Sequence, residues 1–369
     1  MLIKFAVQNY RGFAERLEWD LSKPDNRYDF NQFAIKDGIV KNGIIFGPNG
    51  SGKTNFGLAI FDIANHLSDK WRKPDYYLNF AYAGHPKSYV KFEYTFKFGT
   101  DVVRYFYSKR TEGRLLTETL FVNEELLFSK KNGKVEINST QFPMDENVKK
   151  KLSQNANNVS VAKYILTVYP LNKKHCLIQL KNYVDSMLFF RCLDVREFIG
   201  LETEVTNLEE YIITNGLVND FASFLKEVSD QEFVFVEAVP DDKRLWCKIN
   251  DTVIPFSLIA STGTQSLKLL YYWIKQMDRK TASFVYVDEF DAFYHYKLSY
   301  EVCKRLFAMK GQIFLSSHNT TLMTNDLLRP DCYFLLKNNA IKSFAECTEK
   351  ELAEANNLER LYRGGAFNL

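Results

Sequence analysis

Gly47-Pro48-Asn49-Gly50-Ser51-Gly52-Lys53-Thr54 fits the pattern G-x-x-x-x-G-K-[ST], a loop that wraps phosphate groups. The residues before it, Gly43-Ile44-Ile45-Phe46, read as a short buried strand. After it, Phe56, Ile60, Ile63 and Leu67 fall near one face of a helix. Strand, glycine-rich turn and helix are the context this loop needs, which an ordinary Gly/Ser surface loop lacks. Gly50 and Gly52 can take backbone angles closed to other residues and leave room for phosphate oxygens. The loop amides and the helix N-terminus point positive dipoles at the phosphates. Lys53 adds a full charge near the β- and γ-phosphates. The Thr54 hydroxyl can ligate Mg²⁺, a small hard cation that shares its shell with phosphate oxygens and water. The expected nucleotide-contacting set is Gly47, Pro48, Asn49, Gly50, Ser51, Gly52, Lys53, Thr54 and Asn55. The loop identifies a nucleotide and not yet a task.

The chain around it has 369 residues, enough for one large or two modest domains with ample core. Apolar content of 46% and charged content of 25% mark a globular chain and exclude a disordered one. A net charge of +3 neither demands nor excludes nucleic acid. The six cysteines form no C-x-x-C pair and read as reduced core thiols of a cytosolic protein. No apolar run reaches the length of a transmembrane helix. The N-terminus alternates like a strand and has no signal-peptide core. These features predict a cytoplasmic protein with no membrane partner.

In chain order, residues 2–21 read as two strands around a turn at Arg11-Gly12, followed by a polar loop from Lys23 to Asp37. The P-loop strand and helix come next, the helix ending near Lys70. Trp71 to Lys87 is irregular, broken by Pro74 and Pro86. From Tyr89 to Ile137 the pattern switches to period two, with turns at Gly99-Thr100 and Asn132-Gly133. That predicts an antiparallel meander. Residues 145–230 carry apolar residues at helical spacing over Val148–Gln154, Ser160–Val168, Cys176–Phe190 and Leu208–Val228. Lys149-Lys150-Lys151 and Lys173-Lys174 also lie here, as solvated faces or as contacts to DNA. Residues 233–256 return to strands, split by the turn Pro240-Asp241-Asp242.

The last third returns to nucleotide chemistry. Ser283-Phe284-Val285-Tyr286-Val287-Asp288-Glu289 is a buried strand ending in two carboxylates, the Walker B pattern. It puts Asp288 at the strand end where α/β sheets bind ligands, to hold Mg²⁺. Glu289 is then placed to polarise an attacking water. Gln312-Ile313-Phe314-Leu315-Ser316-Ser317-His318-Asn319 reads as another buried strand, ending at a histidine, His318, which can reach a γ-phosphate and sense its loss. A lone histidine is more often a cap or a core residue, but its place one strand after Walker B points to the site. Between these strands, Ser261-Thr262-Gly263-Thr264-Gln265 precedes an apolar helical run from Ser266 to Met277. Small residues opening a helix make a second anion site. With the first site already holding the triphosphate, Ser261 and Gly263 are expected to serve a nucleotide bound to another subunit.

P-loop, S-x-G-x-Q, Walker B and strand-end histidine, in that order, resemble the ABC-type ATPase heads of SMC and RecF-like proteins. The chain looks most like the AAA-type ATPases of the OLD and abortive-infection antiphage-defence class. The opening Met1–Phe13 with Asn9-Tyr10-Arg11-Gly12-Phe13, the Walker B and D-loop stretch Asp288-Glu289-Phe290-Asp291-Ala292-Phe293-Tyr294-His295, and the ending Leu361-Tyr362-Arg363-Gly364-Gly365-Ala366-Phe367 carry that likeness, over roughly residues 1–100 and 233–369. The resemblance implies an α/β, ABC-type P-loop ATPase head with an antiparallel β-subdomain and a helical insert. Residues 1–144 and 231–369 would form the head, and 145–230 a compact lid or arm. It implies ATP and Mg²⁺ as cofactors, Glu289, His318 and Lys53 as catalytic residues, and Thr54 and Asp288 as metal ligands. Asp291 would belong to the D-loop. The Ser-Thr-Gly-Thr-Gln stretch departs from the Leu-Ser-Gly-Gly-Gln of transporters, and no Q-loop glutamine stands out. With only 51 residues after His318, a Toprim nuclease like that of OLD proteins is not expected.

Three functions follow as expectations. The first is an ATP-hydrolysing switch that forms a head-to-head homodimer and controls a separate effector, a nuclease or a toxin, in antiphage defence. The second is a RecF- or SMC-like repair ATPase that clamps DNA. The third is a scaffold with ATP as structural glue. A transporter subunit fits less well, and a GTPase is disfavoured because no Asn-Lys-x-Asp motif is present.

Overall fold

A computed structural model describes residues 1–68, 74–154, 159–191, 198–200, 207–237 and 242–367. Two seven-stranded sheets enclose the P-loop helix. The first is antiparallel throughout and runs in the order 134–137, 125–131, 115–122, 101–109, 90–98, 2–8, 17–20. The alternation of Val90–Phe98 is what builds it, because every second side chain from Val90 to Phe96 is buried. Asn132 and Gly133 both have positive φ, 50° and 69°, as a tight hairpin turn requires.

The second sheet runs 198–200, 188–191, 284–288, 312–316, 42–46, 333–337, 340–343. Its five inner strands are parallel and its two edges antiparallel. The P-loop strand Asn42–Phe46 is fully buried near the middle, beside Gln312–Ser316. Phe284–Asp288 follows one strand further out. All three therefore deliver their C-terminal ends to one edge, where parallel sheets place ligands. Parallel core sheet, flanking antiparallel sheet and added helices make this a mixed α/β architecture, with the P-loop helix between two sheets.

The P-loop helix is apolar on most of its surface because both sheets cover it. It runs Lys53–Ile60, kinks at Phe61 and continues as Asp62–Leu67. Gly57 faces the parallel sheet, where a Cβ would sit 2.7 Å from the Tyr286 ring and 2.9 Å from Phe189. Phe56 faces the antiparallel sheet, against Phe5 and Trp19. Trp19 in turn packs on Phe314 and Phe334 of the parallel sheet, with centroids 4.6 and 5.3 Å away. The Gln312 side chain accepts from Leu2 N at 2.7 Å and donates to Leu2 O at 3.0 Å, tying the first strand to the parallel sheet.

The helical expectation for 145–230 holds in part. Helices occupy Glu146–Ser153, Val161–Val168, Cys176–Asp185, Leu208–Thr214 and Val218–Ser229. The helix expected over Cys176–Phe190 stops at Asp185, and Leu188–Arg191 is a strand paired in parallel with Walker B. The region is thus no detached arm, since it contributes two strands to the core sheet. The single helix expected over Leu208–Val228 is two, broken at Asn215-Gly216, where Gly216 has φ +65°. The expected irregular start at Trp71 and turn at Pro240-Asp241 lie outside the described residues. No described helix is long and apolar enough to cross a membrane.

A buried polar network fastens the helix to the antiparallel sheet. Asp62 is fully buried and accepts from Lys109 Nζ and Tyr107 Oη, each at 2.7 Å, and from Tyr76 Oη at 3.1 Å. Four residues on, His66 Nε2 lies 2.7 Å from Tyr105 Oη, which donates to Glu118 at 2.6 Å. Glu118 also accepts from Val161 N at 2.7 Å, at the start of a helix in the 145–230 region. Lys109→Met leaves Asp62 without its counter-ion, so it should cost about 3–5 kcal/mol in denaturant unfolding. The exposed Lys150→Met should stay within about 0.5 kcal/mol of wild type.

Candidate functional site

The three parallel strand ends and the P-loop surround a cavity of about 760 Å³. Asn49, Gly50, Gly52, Lys53, Thr54 and Asn55 line one wall, and Glu289, Asp291, Ala292, Tyr294, His318 and Asn319 the other. The loop turns through glycines where no other residue fits easily. Gly52 has φ +97°, and a Cβ there would meet the Phe13 ring at 2.9 Å. The Lys53 ammonium is folded into the loop, donating to Gly47 O at 2.8 Å and Pro48 O at 3.3 Å. Burial pulls its pKa down to about 8, against the nearby Asp288 and Glu289 charges that raise it. His318 Nδ1 lies 3.5 Å from Lys53 Nζ. Burial first, and the Lys53 charge second, hold His318 below the ordinary histidine range.

Asp288 is the hub. It is fully buried at the end of its strand. Thr54 Oγ1 donates to its Oδ2 at 2.7 Å, and Ser316 Oγ donates to its Oδ1 at 2.7 Å. The same Ser316 oxygen accepts from Glu289 N at 2.8 Å. Arg191 Nε forms an ion pair with Asp288 Oδ2 at 3.3 Å. Thr54 and Asp288 offer two hard oxygens side by side, the donor set of Mg²⁺ sharing its shell with phosphate and water.

Glu289 has φ +49°, in the left-handed region a glutamate rarely occupies. Such backbone costs of order 1–3 kcal/mol and survives where the surroundings impose it. Its Oε2 is buried and, among the described residues, has no hydrogen-bond partner. Glu289 lines the cavity, and a buried carboxylate oxygen without a donor is left for a water or a ligand to satisfy.

Ser261 and Gly263 do not line this cavity. Ser261 is the exposed N-cap of the 19-residue helix Thr262–Lys280 and accepts from Thr264 N at 3.2 Å. Gly263 packs under the D-loop, where a Cβ would lie 3.0 Å from Phe293 O. Tyr294, on the cavity wall, shares a 2.9 Å hydrogen bond with Ser266 of that helix. Asp291 accepts from Ser317 Oγ at 2.8 Å, and burial raises its pKa. The lysine clusters are elsewhere: Lys150, Lys173 and Lys174 are exposed, and Lys149 pairs with Glu146 at 2.7 Å.

Four residues of the site were not legible as such. Ser316 and Ser317 ended the right strand but carried no motif. Tyr294 sat inside the D-loop likeness. Arg191 gave no signal, because the strand that presents it was read as helix. Arg11 also approaches the P-loop helix, with Nη1 3.5 Å from Asn55 Oδ1.

The chain is similar to three solved SMC heads. The Smc head bound to the C-winged helix domain of ScpA is 13% identical, with 92% of this chain and 96% of that one covered and a TM-score of 0.45. The SMC head domain from Thermotoga maritima is 14% identical, with 92% and 97% covered and a TM-score of 0.44. The Smc head domain with an extended coiled coil, bound to the C-terminal domain of ScpA derived from Pyrococcus furiosus, is 11% identical, with 94% and 97% covered and a TM-score of 0.45. No protein-family model matches the chain, and no curated protein matches it in sequence.

The lowered Lys53 pKa sets a pH dependence for anion binding. A bound polyphosphate favours the charged ammonium, so binding above pH 8 must first restore a proton. Affinity for inorganic sulfate, a dianion throughout this range, measured by calorimetry without metal, should change little from about pH 7 up to the free-state Lys53 value of about 8. It should fall about fivefold between pH 8 and pH 9, with proton uptake visible as a buffer-dependent heat.

Proposed function

We propose that this chain binds ATP with Mg²⁺ and hydrolyses it, acting as a switch that pairs head to head with a second copy. The observation that carries the reading is the Thr54–Asp288 hydrogen bond of 2.7 Å at the mouth of a glycine-turned loop, with the unpartnered Glu289 oxygen beside it. The loop amides and Lys53 would hold the phosphates. Thr54 and Asp288 would hold Mg²⁺, which neutralises charge developing on the phosphates. Glu289, on the cavity wall, would orient the attacking water and accept its proton. Neutral His318 would accept or donate a hydrogen bond at the terminal phosphate without adding charge.

Glu289→Gln removes the accepting carboxylate and keeps its size. Nucleotide binding should stay within about threefold of wild type, and single-turnover hydrolysis should fall by roughly 10²-fold or more. Wild-type turnover in this variant would remove Glu289 from the mechanism.

Ser261 supports the dimer reading. It is exposed at the start of a long helix and outside its own chain's cavity. Its hydroxyl and the first helix amides suit an anion presented by another subunit. In the Glu289→Gln background, ATP should raise the mass seen by light scattering and ADP should not. Ser261→Arg should abolish that rise while ATP binding by its own P-loop persists. An ATP-independent mass would favour the scaffold reading.

The antiphage-defence role, with a separate nuclease or toxin as effector, rests on the sequence likeness to OLD and abortive-infection ATPases. The DNA-clamp alternative draws its support from the exposed Lys150, Lys173 and Lys174 on the 145–230 region. Counterion release would make such binding strongly salt-dependent.

A further inference from the structure

We propose that the tail helix Leu358–Arg363 braces the cavity from behind, with Glu359 as a positioning residue that acts through Thr320 to set His318 against Lys53. The tail stretch Leu361-Tyr362-Arg363-Gly364-Gly365-Ala366-Phe367 does not line the cavity, and its sequence explains its shape. Asn357 caps the helix by accepting from Arg360 N at 2.8 Å. Past its end, Gly365 turns the chain at φ +73°, the left-handed conformation that suits glycine, and Ala366 N donates back to Leu361 O at 3.0 Å. Phe367 thereby returns to stack on Phe344 with centroids 4.4 Å apart, and Tyr362 stacks on the same ring at 6.2 Å. Phe344 in turn lies 6.0 Å from Phe46, the last residue of the P-loop strand. Through this shared ring the tail is packed against the strand that delivers the P-loop.

The polar side of the tail reaches the histidine loop. Thr320 Oγ1 donates to Glu359 Oε1 at 2.8 Å, and Arg363 pairs with the same carboxylate oxygen at 2.7 Å. Arg363 Nη2 also donates to Thr320 Oγ1 at 3.4 Å, so the three groups close a ring in which each restrains the other two. Partly exposed ion pairs contribute little to stability, and what this ring offers is orientation. The turn it holds is stiff, because Asn319 Oδ1 accepts from Thr321 N at 3.1 Å and from Thr321 Oγ1 at 2.6 Å. On the other side of His318, Ser317 Oγ donates to Asp291 at 2.8 Å and accepts from Asn319 N at 2.9 Å. His318 thus sits between one anchor at Asp291 and another at Glu359. Its Nδ1 lies 3.5 Å from Lys53 Nζ, at the limit of a hydrogen bond, so a displacement of about 1 Å would break the approach. Loss of the Glu359 anchor would let the turn shift relative to Lys53 while Ser317 stays in place.

The test reads the His318 ring by nuclear magnetic resonance in the full chain, its signal being assigned among the five histidines by its loss in His318→Gln. Thr320→Val keeps the shape and loses the hydroxyl, and Glu359→Ala removes the acceptor. Each should move the His318 resonance and raise its titration midpoint toward the ordinary histidine range. Escape from burial and from the Lys53 charge outweighs the weaker pull of Glu289 and Asp288. Thr320→Ser, which restores the hydroxyl, should return both to the wild-type position. The melting temperature should stay within about 4 °C of wild type. If Glu359→Ala does not fold, the valine and serine variants carry the comparison. A merely structural tail would lower the melting temperature in the variants and leave the resonance and the midpoint unchanged, and that result overturns the inference. A second arm rests on the reading that the cavity takes ATP with Mg²⁺. Single-turnover hydrolysis should fall about tenfold in Thr320→Val, with nucleotide affinity within about threefold of wild type. Failure of the wild type to bind ATP would overturn that reading, and the ring measurement then decides this inference by itself.

Discussion

The 2.7 Å hydrogen bond from Thr54 to Asp288 joins residues 234 positions apart in the chain. It exists only because the P-loop strand and the Walker B strand lie in one parallel sheet, separated by Gln312–Ser316. Each strand is five residues long and fully buried, so a shift of one residue in any of them would turn a wrong side chain toward the edge. The intervening strand is itself part of the site, through Ser316. Its hydroxyl donates to Asp288 and accepts from the Glu289 amide, so one oxygen fixes both the carboxylate and the turn that follows it.

Much of this was legible because local pattern and final environment agree. The P-loop needs its glycines wherever it occurs. The meander alternates because one face of its sheet lies on the P-loop helix and the other is more exposed. The strand Leu188–Arg191 was not legible, and the reason is physical. A four-residue apolar strand buried on both faces has no period of its own, and it follows the helix Cys176–Asp185 after only two residues. Its strand state is decided by pairing with Phe284–Asp288, nearly a hundred positions later, and no window of sequence contains that partner. Misreading it as helix also hid Arg191, whose meaning comes wholly from its register against Asp288. The Leu208–Val228 run failed differently. Asn215-Gly216 interrupts it, and that pair is ordinary turn chemistry outweighed by the helical spacing on either side.

The cavity and the Ser261 helix are separate surfaces within the chain, yet the D-loop joins them mechanically. Asp291 is tied to Ser317 at the cavity's base, and Tyr294 on its wall is tied to Ser266 on the helix. Gly263 leaves no space beneath Phe293. A displacement at Asp291 therefore has a short, packed route to the residues that cap the helix. Such a route transmits motion only if the turn has two stable arrangements, since close-packed contacts alone merely resist deformation.

Glu289 is where a second arrangement is closest to hand. Its φ of +49° is held by the Ser316 hydrogen bond on one side and by the D-loop turn on the other. The first of these restraints leads to Asp288, because Ser316 is bound to it. The backbone strain at Glu289 and the orientation of the Asp288 carboxylate are thus one coupled state. Whatever changes the partners of Asp288, whether a hydroxyl, a guanidinium or a metal, acts through Ser316 on the Glu289 turn and so on the D-loop beyond it. The strained turn needs no separate sensor, since its restraint and the metal's ligand are the same group.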